Sequence, residues 1–559
     1  MAESNYWQRL SEHRLARRAL LRSGGVVAAG AGAAFLAGCG RGTSSGGNAG
    51  STTASSAGQA GAQPQTGGIL SGRVPTDPPT TWMPAAAVTY VAVWPMAPAF
   101  NQLLQFDPQD PDNKVIPDLA DSYEIAGDAK SVVFKLHPGV KFHDGSDFSS
   151  EDVKATIDWN KNPPPKQTSS RQVILQAIDH VETPDPLTAK LVLKQPNPSL
   201  IVNLATHFMC IGAKADLVKD NLNTIVNGTG PFKLKAFTRG VGVEMERNPN
   251  YWVKDRPYMD GVKYSIVFDE NSAMTDLIAG RFHKYFPVLS DNYGRAEKES
   301  GGKIKETTIP APNRNMLFFN TTKKPFNDPR VRQAVSLVLD RNEAMQIDLH
   351  GQGRSGGYML PGGQWAISSD QLNKVPGYDK PDIAEAKKLL AAAGVTEPVS
   401  GTLMNRSDAT FQAGMIYVQA TLQKVLGWNF KTDVKDSAAA FAAGAATQFD
   451  LLHWIFSVDY DDPDGTFGQF ATSKAPYNWS KVYDTEADAL FDKQSQTVDA
   501  AQRKQIVQQM EQKYLNGFPS LTLYFRNRDD ALWNTVHDYK MGSYLYVNQR
   551  FQDVWLSKA

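Results

Sequence analysis

The sequence predicts a mixed α/β body with several sheets, because short alternating strands and amphipathic helices follow one another along the chain. Its clearest strand has apolar side chains at Val132, Phe134 and Leu136, and its clearest helix begins at Asp328. The chain has 559 residues. At roughly 150 residues per domain, this length predicts two to four units.

The first strand leads into a turn and then a helix. Asp144-Gly145 is a turn signal, and Ser149 opens a helix that runs towards Trp159. Three prolines from Pro163 end that helix. The same alternation of apolar side chains predicts further strands over 189–193 and 521–525.

The helix that begins at Asp328 carries its own start signal. Asp328 suits the N-cap, Pro329 suits the first helical position, and apolar residues from Val331 to Leu339 then recur at helical spacing. Other helices are predicted over 382–393, where Gly394 closes the helix, and over 412–426 and 501–515.

Composition excludes several classes of protein. Lys and Arg number 58 and so do Asp and Glu, so the net charge is zero and a nucleic-acid partner is not expected. The two cysteines, Cys39 and Cys210, are too few for a disulfide scaffold or a cysteine-based zinc module. Cys210 lies in an apolar stretch and is expected in the core.

The N-terminus is expected to be a signal peptide over residues 1–38. A basic stretch containing Arg17 and Arg18 precedes an apolar run that is too short to span a bilayer. The run ends in a stretch resembling a bacterial lipobox, which predicts a lipid anchor on Cys39. Arg17-Arg18 resembles the twin-arginine (Tat) export motif, and a basic flank for ordinary secretion is the alternative. The anchored chain is then expected on the outer face of the cytoplasmic membrane.

Residues 39–68 are expected to be a flexible tether. The stretch is rich in Gly, Ser, Thr, Ala and Gln, and Arg41 is its only charge, so it has little with which to offset the entropy of ordering. No later run is apolar enough to span a membrane.

Two short motifs point weakly to chemistry. Gly353-Arg354-Ser355-Gly356-Gly357 fits the G-x-S-x-G pattern of a nucleophile elbow, but a predicted helix rather than a strand precedes it, so a flexible glycine loop is expected. If Gly465 is aligned with the invariant glycine of a calcium loop, Tyr460 falls at the first ligand position and Ala471 at the last. Both positions need oxygen ligands and the last should be Glu, so calcium is not expected. No metal, cofactor or catalytic constellation is predicted, which favours binding over turnover.

Four groups of segments, in order, resemble the solute-binding proteins of bacterial ABC importers, family 5, which include oligopeptide- and dipeptide-binding proteins. The resemblance extends from about residue 70 to the C-terminus. The groups are 117–123 with 133–136, 139–145 and 151–153; 228–234 with 246–252; 318–321 with 325–334; and 450–451 with 459–463.

The resemblance implies a periplasmic-binding-protein-like fold with two lobes joined by a strand hinge. Lobe I would comprise 69–111, 220–312 and 527–559, with an inserted subdomain at 112–219, and lobe II would comprise 313–526. A ligand would be enclosed between the lobes and handed to a membrane permease with its ATPase. The resemblance implies a monomer without enzymatic activity.

In peptide-binding relatives, an aspartate in a stretch matching the one around Asp459 pairs with the ligand's α-amino group. The resemblance therefore implies Asp459 as a ligand-binding residue, with Trp454, Phe456 and Tyr460 as aromatic walls, although each ring suits core packing equally. Phe456 stands where peptide binders often carry Trp. An oligosaccharide or metal-chelate ligand stays open, as does a surface-anchored hydrolase.

Overall fold

A computed structural model describes residues 63–559, apart from residues 76, 78–81, 83, 87–92, 111–112, 166, 168, 170, 173, 219–225, 287, 289–291, 459, 545–546 and 559. The predictions on Arg17, Arg18, Cys39 and Asp459 therefore lie outside the described residues. Gly67 and Gly68, at the end of the predicted tether, are bonded to the body. The amide of Gly67 donates to the carbonyl of Tyr258 at 2.9 Å, and that of Gly68 donates to the Asp260 carboxylate at 3.0 Å.

Strands and helices alternate throughout the described part of the chain. Its strands are β1 (Ile69–Val74), β2 (Leu104–Phe106), β3 (Val115–Pro117), β4 (Ala120–Ile125), β5 (Ser131–Leu136), β6 (Ile178–Asp185), β7 (Thr188–Leu193), β8 (Phe232–Thr238), β9 (Gly242–Arg247), β10 (Gly261–Ile266), β11 (Lys284–Tyr285), β12 (Ile304–Phe319), β13 (Gly353–Arg354), β14 (Ser400–Arg406), β15 (Asn429–Lys435), β16 (Leu451–Ser457), β17 (Ser520–Trp533), β18 (Val536–His537) and β19 (Trp555–Leu556). Its α-helices are Ser150–Lys161, Leu200–Leu204, Lys214–Leu217, Glu270–Ile278, Arg295–Glu299, Pro329–Val338, Arg341–Leu349, Ser369–Leu372, Ile383–Ala392, Gln412–Leu426, Ser437–Ala445, Pro463–Phe470, Thr485–Gln494 and Ala500–Gly517.

One large sheet runs in the order β15-β14-β16-β12-β17-β11-β1-β10-β9-β8, and β13 pairs with β17 beside this path. Its centre is the antiparallel pair β12 and β17, which are 16 and 14 residues long. At about 3.3 Å per residue, β12 spans about 50 Å. Strands β11, β1, β10, β9 and β8 lie at one end of the pair, in the first lobe, and β16, β14 and β15 lie at the other, in the second lobe.

The pairing of β12 with β17 is irregular where the lobes meet. Its register runs from Ile304 opposite Trp533 to Phe318 opposite Ser520, with shifts between Pro310 and Asn313 and between Asn315 and Met316. Bulges of this kind bend a ribbon and increase its twist. The two strands therefore form the crossing between the lobes.

A separate antiparallel sheet, β4-β5-β7-β6, forms the small-sheet subdomain together with helix Ser150–Lys161. The helix starts as predicted: the Ser149 and Asp152 side chains form a capping box, and Lys161 ends the helix just before the prolines. The core of the subdomain includes Phe134, Val153 and Leu191. It also includes Tyr460, a residue of the loop that follows β16.

The second lobe is built around the larger core, which includes Phe318, Val335 and Trp454. Helix Pro329–Val338 begins as predicted, because the Asp328 carboxylate accepts the Arg330 amide at 2.9 Å. The stretch 353–357 is not a nucleophile elbow: Gly353–Arg354 is a two-residue strand, and the next helix begins only at Ser369.

Two observations bear on membrane topology and thiol chemistry. Among the described residues, no helix combines the length and apolar character needed to cross a bilayer. The side chain of Cys210 is fully buried, in agreement with its predicted place in the core.

Candidate functional site

The loop after β16 joins the two lobes. Strand β16 ends at Ser457, and helix Pro463–Phe470 begins six residues later, with the Asp462 carboxylate accepting the Asp464 amide at 2.9 Å. This arrangement follows from the sequence, because aspartate is a favoured N-cap and proline suits the first helical position. Asp459 belongs to this loop and is not among the described residues.

Tyr460 and Asp462 of this loop contact the small-sheet subdomain. The Tyr460 hydroxyl donates to the Asn203 side-chain oxygen. The Ser199 hydroxyl donates to Asp462 at 2.7 Å and accepts from Arg503 at 2.6 Å, while Arg503 pairs with Asp462 at 3.2 Å. We call Ser199, Asn203, Tyr460, Asp462 and Arg503 the interlobe bridge. All five are buried.

Trp454 and Phe456 lie on β16 within an aromatic cluster formed with Phe470, Tyr477 and Trp479. The ring centroids of Trp454 and Trp479 are 4.9 Å apart, and those of Phe456 and Phe470 are 4.1 Å apart. Both predicted wall residues are almost fully buried, at 1% and 5% exposure. Packing in the second-lobe core is therefore what holds their rings in place.

A row of four residues crosses the sheet beside this cluster. Phe456 pairs with Arg314, Arg314 pairs with Phe525, and Phe525 pairs with Arg354. Residues in register on neighbouring strands share one face of a sheet. The row therefore places two guanidinium groups and two aromatic rings side by side.

Arg314 is buried and only partly bonded. Its Nη1 donates to the Tyr358 carbonyl at 2.9 Å, and its guanidinium carbon lies 5.4 Å from the centre of the Phe470 ring. Burial lowers the pKa of Arg314 to about 10, although nearby acids oppose the shift. Burying the charged guanidinium of Arg314 is costly, so this group needs hydrogen-bond or ion-pair partners.

The segment 353–363, which we call the glycine loop, packs over this row. A Cβ on Gly356 would lie 2.3 Å from Pro361 and 2.7 Å from the Phe525 ring, and one on Gly357 would lie 2.4 Å from the Glu511 carboxylate. Only glycine fits such close approaches. The stretch that resembled a catalytic motif is therefore a packing element of the site.

Two acids, Glu511 and Asp461, accept hydrogen bonds from amides of the glycine loop. Glu511 accepts the amides of Tyr358 and Met359 at 2.6 and 2.9 Å, and burial raises the pKa of this carboxyl group. Asp461 accepts the Leu360 amide at 3.4 Å, and burial raises the pKa of Asp461 to about 7. The shift at Asp461 reduces the negative charge that this carboxyl group carries near neutral pH.

A cavity of about 410 Å³ lies between the small-sheet subdomain and the second lobe. One wall comes from the subdomain and includes Ile174, Lys194 and Asn197, and the other includes Asp464 and Phe491. Within the residues that the structure describes, no group of three or more His, Cys, Asp and Glu side chains is placed to hold a metal ion.

Trp454, Phe456 and Tyr460 are close together in sequence, but they pack in two different cores. Trp454 and Phe456 belong to the second-lobe core, and Tyr460 belongs to the core of the small-sheet subdomain. Sequence reasoning missed Ser199, Arg503, Arg314 and Arg354. Of the four, only Arg354 stands in a motif, the G-x-S-x-G stretch at 353–357, and each acquires its place through contacts with residues distant in the chain. A run of glycines at 353–357 was the one signal near Arg354, and it was interpreted as a flexible loop.

Comparison with known proteins gives the family. A model of the family described as bacterial extracellular solute-binding proteins, family 5 (middle), matches residues 114–478. The chain is 28% identical to a glutathione-binding protein GsiB from Pectobacterium atrosepticum over 416 residues, which is 72% of the chain and 79% of that protein. It is 25% identical to di/tripeptide-binding protein 1 from Pseudomonas aeruginosa over 483 residues, covering 80% of the chain and 86% of that protein.

Solved structures share the fold. The periplasmic binding protein DppA from Helicobacter pylori, in complex with peptide STSA, matches 88% of this chain and 99% of its own with a TM-score of 0.80 at 21% identity. The binding protein AgaA from A. tumefacien R10, in complex with agropinic acid, matches 88% and 99% with a TM-score of 0.79 at 27% identity. The mixed α/β, two-lobed architecture is thus that of periplasmic peptide-binding proteins. The family match spans more than half of the sequence, and the chain therefore belongs to the bacterial extracellular solute-binding proteins of family 5.

Proposed function

We propose that this chain is the solute-binding component of an ABC importer and that it captures peptides between its two lobes. The observation that carries the proposal is the interlobe bridge: the loop containing Asp459 belongs to the second lobe, yet its Tyr460 is buried in the core of the small-sheet subdomain. A ligand beside this loop touches both lobes. Binding sites of this kind favour domain interfaces.

Peptides are the proposed ligand class because the relatives are named for glutathione and for di- and tripeptides. Asp459 is proposed to pair with the ligand's α-amino group through a charge-assisted hydrogen bond. Trp454 and Phe456 are proposed to border the ligand with the edges of the aromatic cluster, and Tyr460 through its place in the interlobe bridge.

Closure about β12 and β17 is the proposed mechanism. The irregular pairing near Pro310 and Asn313 gives the strands a place to bend. A ligand shifts the equilibrium towards the closed form only by its difference in affinity for the closed and open forms. The closed, loaded form then docks on the permease, and the permease's ATPase supplies the energy. The chain itself is proposed to leave its ligand chemically unchanged and to act as a monomer.

Domain boundaries and cellular location complete the proposal. Lobe I is proposed to comprise 69–111, 220–312 and 527–559, with the inserted subdomain at 112–219 and lobe II at 313–526. Residues 1–38 are proposed to direct export by a Tat-type signal containing Arg17 and Arg18. Lipid on Cys39 would then hold the body outside the cytoplasmic membrane, through a tether over 39–68.

Titration calorimetry with di- and tripeptides tests the proposed role of Asp459. Asp459→Asn is expected to weaken binding about 10- to 100-fold, because a charge-assisted hydrogen bond contributes roughly 1.5–3 kcal/mol. The control is Asp379→Asn, which changes an exposed carboxylate elsewhere on the second lobe. Equal affinity of Asp459→Asn and the unaltered protein would remove Asp459 from the site. No binding of any peptide would reject the peptide proposal.

A further inference from the structure

Two arginines lie in register on one face of the sheet, beside the proposed ligand site. Arg314 on β12 and Arg354 on β13 are both in register with Phe525 on β17, which lies between them. Two steps between neighbouring strands separate their backbones by roughly 10 Å. An arginine side chain extends far enough from each side for both guanidinium groups to reach a single small group.

These arginines have too few partners. In the described structure, Nε and Nη2 of Arg314, the same two atoms of Arg354, and the hydroxyl of Ser355 are buried without a hydrogen bond. Arg314 has one bond, to the Tyr358 carbonyl, and Arg354 has one at 3.4 Å, to the Pro361 carbonyl. A buried charge is costly unless it is paired and bonded.

The fold satisfies a comparable arginine fully. Arg332 is buried, and its Nε, Nη1 and Nη2 donate to the carbonyls of Phe518, Phe326 and Gly517 at 2.8, 2.8 and 2.9 Å. Arg406 also has an unbonded nitrogen, but it pairs with Asp408 at 2.9 Å. Arg528 is also buried with Nε and Nη2 unbonded, but its Nη1 donates to the carbonyls of Gly542 and Tyr544 at 3.1 and 2.6 Å. Arg314 and Arg354 differ in that each makes a single hydrogen bond and both belong to one row of the sheet.

Neighbouring acids do not supply the hydrogen-bond partners that the two arginines lack. Asp461 and Glu511 lie near Arg314, yet their described bonds go to backbone amides of the glycine loop and of Ile367. Burial raises the pKa of Asp461 to about 7, which further reduces the charge that this carboxyl group sets against the arginines. A zwitterionic peptide brings no net charge to the two arginines. A ligand with a further carboxylate brings the negative charge that can pair with them.

We propose that Arg314, Arg354 and Ser355 form an anion pocket for a side-chain carboxylate of the ligand, so that the protein prefers acidic peptides. This inference rests on the proposed peptide-binding function. Two guanidinium forks and one hydroxyl match the oxygens of a single carboxylate, which accepts bonds in the plane of the guanidinium. A ligand's C-terminal carboxylate has the same chemistry, so the test separates the two sources.

The test is calorimetry with five matched tripeptides. Ala-Glu-Ala is compared with Ala-Gln-Ala, with Ala-Lys-Ala and with the C-terminally amidated forms of Ala-Glu-Ala and Ala-Gln-Ala. We expect Ala-Glu-Ala to bind about 10- to 100-fold more tightly than Ala-Gln-Ala, the factor of one charge-assisted contact. We expect this preference to persist among amidated peptides, with amidated Ala-Glu-Ala binding more tightly than amidated Ala-Gln-Ala.

Variants of Arg354 separate recognition from packing. Arg354 is only half-buried and its one hydrogen bond is long, so replacing it is expected to leave the melting temperature nearly unchanged. Arg354→Gln should remove most of the preference for glutamate, and Arg354→Glu should invert it in favour of Ala-Lys-Ala. Lys380→Gln, at an exposed position, is the control. If Arg354 had only a structural role, Arg354→Glu would not invert the preference from Ala-Glu-Ala to Ala-Lys-Ala.

The outcomes distinguish this inference from the function on which it rests. If the unaltered protein binds Ala-Glu-Ala and Ala-Gln-Ala equally, or if the preference disappears on amidation, the anion pocket is wrong and peptide binding stands. If Arg354→Glu retains the glutamate preference, the pocket is likewise wrong. If none of the five peptides binds, the proposed function fails and the inference fails with it.

Discussion

Ser199 is where the small-sheet subdomain meets the Asp462–Arg503 ion pair of the second lobe, so Ser199→Ala isolates the interlobe bridge. The change removes a hydroxyl that donates to Asp462 at 2.7 Å and accepts from Arg503 at 2.6 Å. It leaves the ion pair itself in place. Ser199 stands at the N-cap of helix Leu200–Leu204 but makes no side-chain capping bond, so no capping stability is lost.

We infer that the interlobe bridge forms only when the lobes close, so the expected cost of the substitution falls on the closed form. Hydrogen bonds to charged groups contribute about 1.5–3 kcal/mol each on deletion, and the two share one hydroxyl, so we take about 2 kcal/mol in total. This free energy corresponds to a shift of about 30-fold towards the open form. The ligand dissociation constant is expected to rise by up to the same factor, because binding draws on the closed population.

Distances between spin labels measure this equilibrium. Labels on cysteines at Glu182 in the small-sheet subdomain and Lys493 in the second lobe, both exposed, report the separation of the lobes. Ser495→Ala is the control, because Ser495 bonds Asp464 at 2.9 Å within the second lobe. If Ser199→Ala has the same distance distribution and ligand affinity as the unaltered protein, the bridge does not stabilise closure and our reasoning is refuted.

Three other predictions address packing, titration and anchoring. Phe456→Ala should lower the free energy of unfolding by about 3–5 kcal/mol in urea denaturation, because the ring is buried in the aromatic cluster; a loss below 1 kcal/mol would contradict core packing. The stability of the protein relative to Asp461→Asn should fall as the pH rises from about 4 to 7. The pKa of Asp461 is raised to about 7 in the folded state, which therefore keeps a proton that the unfolded chain has already released. If the difference in melting temperature between the two proteins stays constant across this range, the raised pKa is wrong. Cys39→Ser should move the protein from the membrane to the soluble fraction, and persistent membrane fractionation would exclude lipid on Cys39 as the anchor.

Local patterns in the sequence were sufficient for individual elements. The start of helix Pro329–Val338 at Asp328, the capping box at Ser149 and the alternating strand Ser131–Leu136 all depend on neighbours within a few residues. The physical causes of these elements, caps and side-chain periodicity, are written in the local sequence. Resemblance to a family added the two-lobed fold, which local patterns alone did not give.

Local sequence patterns could not predict which residues from distant parts of the chain lie side by side. The row of Phe456, Arg314, Phe525 and Arg354 depends on the register of four strands, and the strands from β12 to β17 lie about 200 residues apart in sequence. A shift of one residue in any of these strands would turn a side chain to the opposite face. Ser199 and Arg503 meet for a similar reason, through the docking of a subdomain rather than through local spacing. Trp454, Phe456 and Tyr460 were predicted either to border a ligand or to pack in a core. The structure shows them buried, and their contact with a ligand stays a proposal.

Native mass spectrometry of the purified protein with Ala-Glu-Ala tests most directly whether the two lobes hold a peptide and leave it intact. We predict a complex of one peptide per chain, from which collisional activation releases the peptide at its original mass. Asp459→Asn, mixed at the same concentration, should give a much smaller bound fraction. A spectrum with no complex, or with the peptide returned as fragments after incubation, would contradict the account.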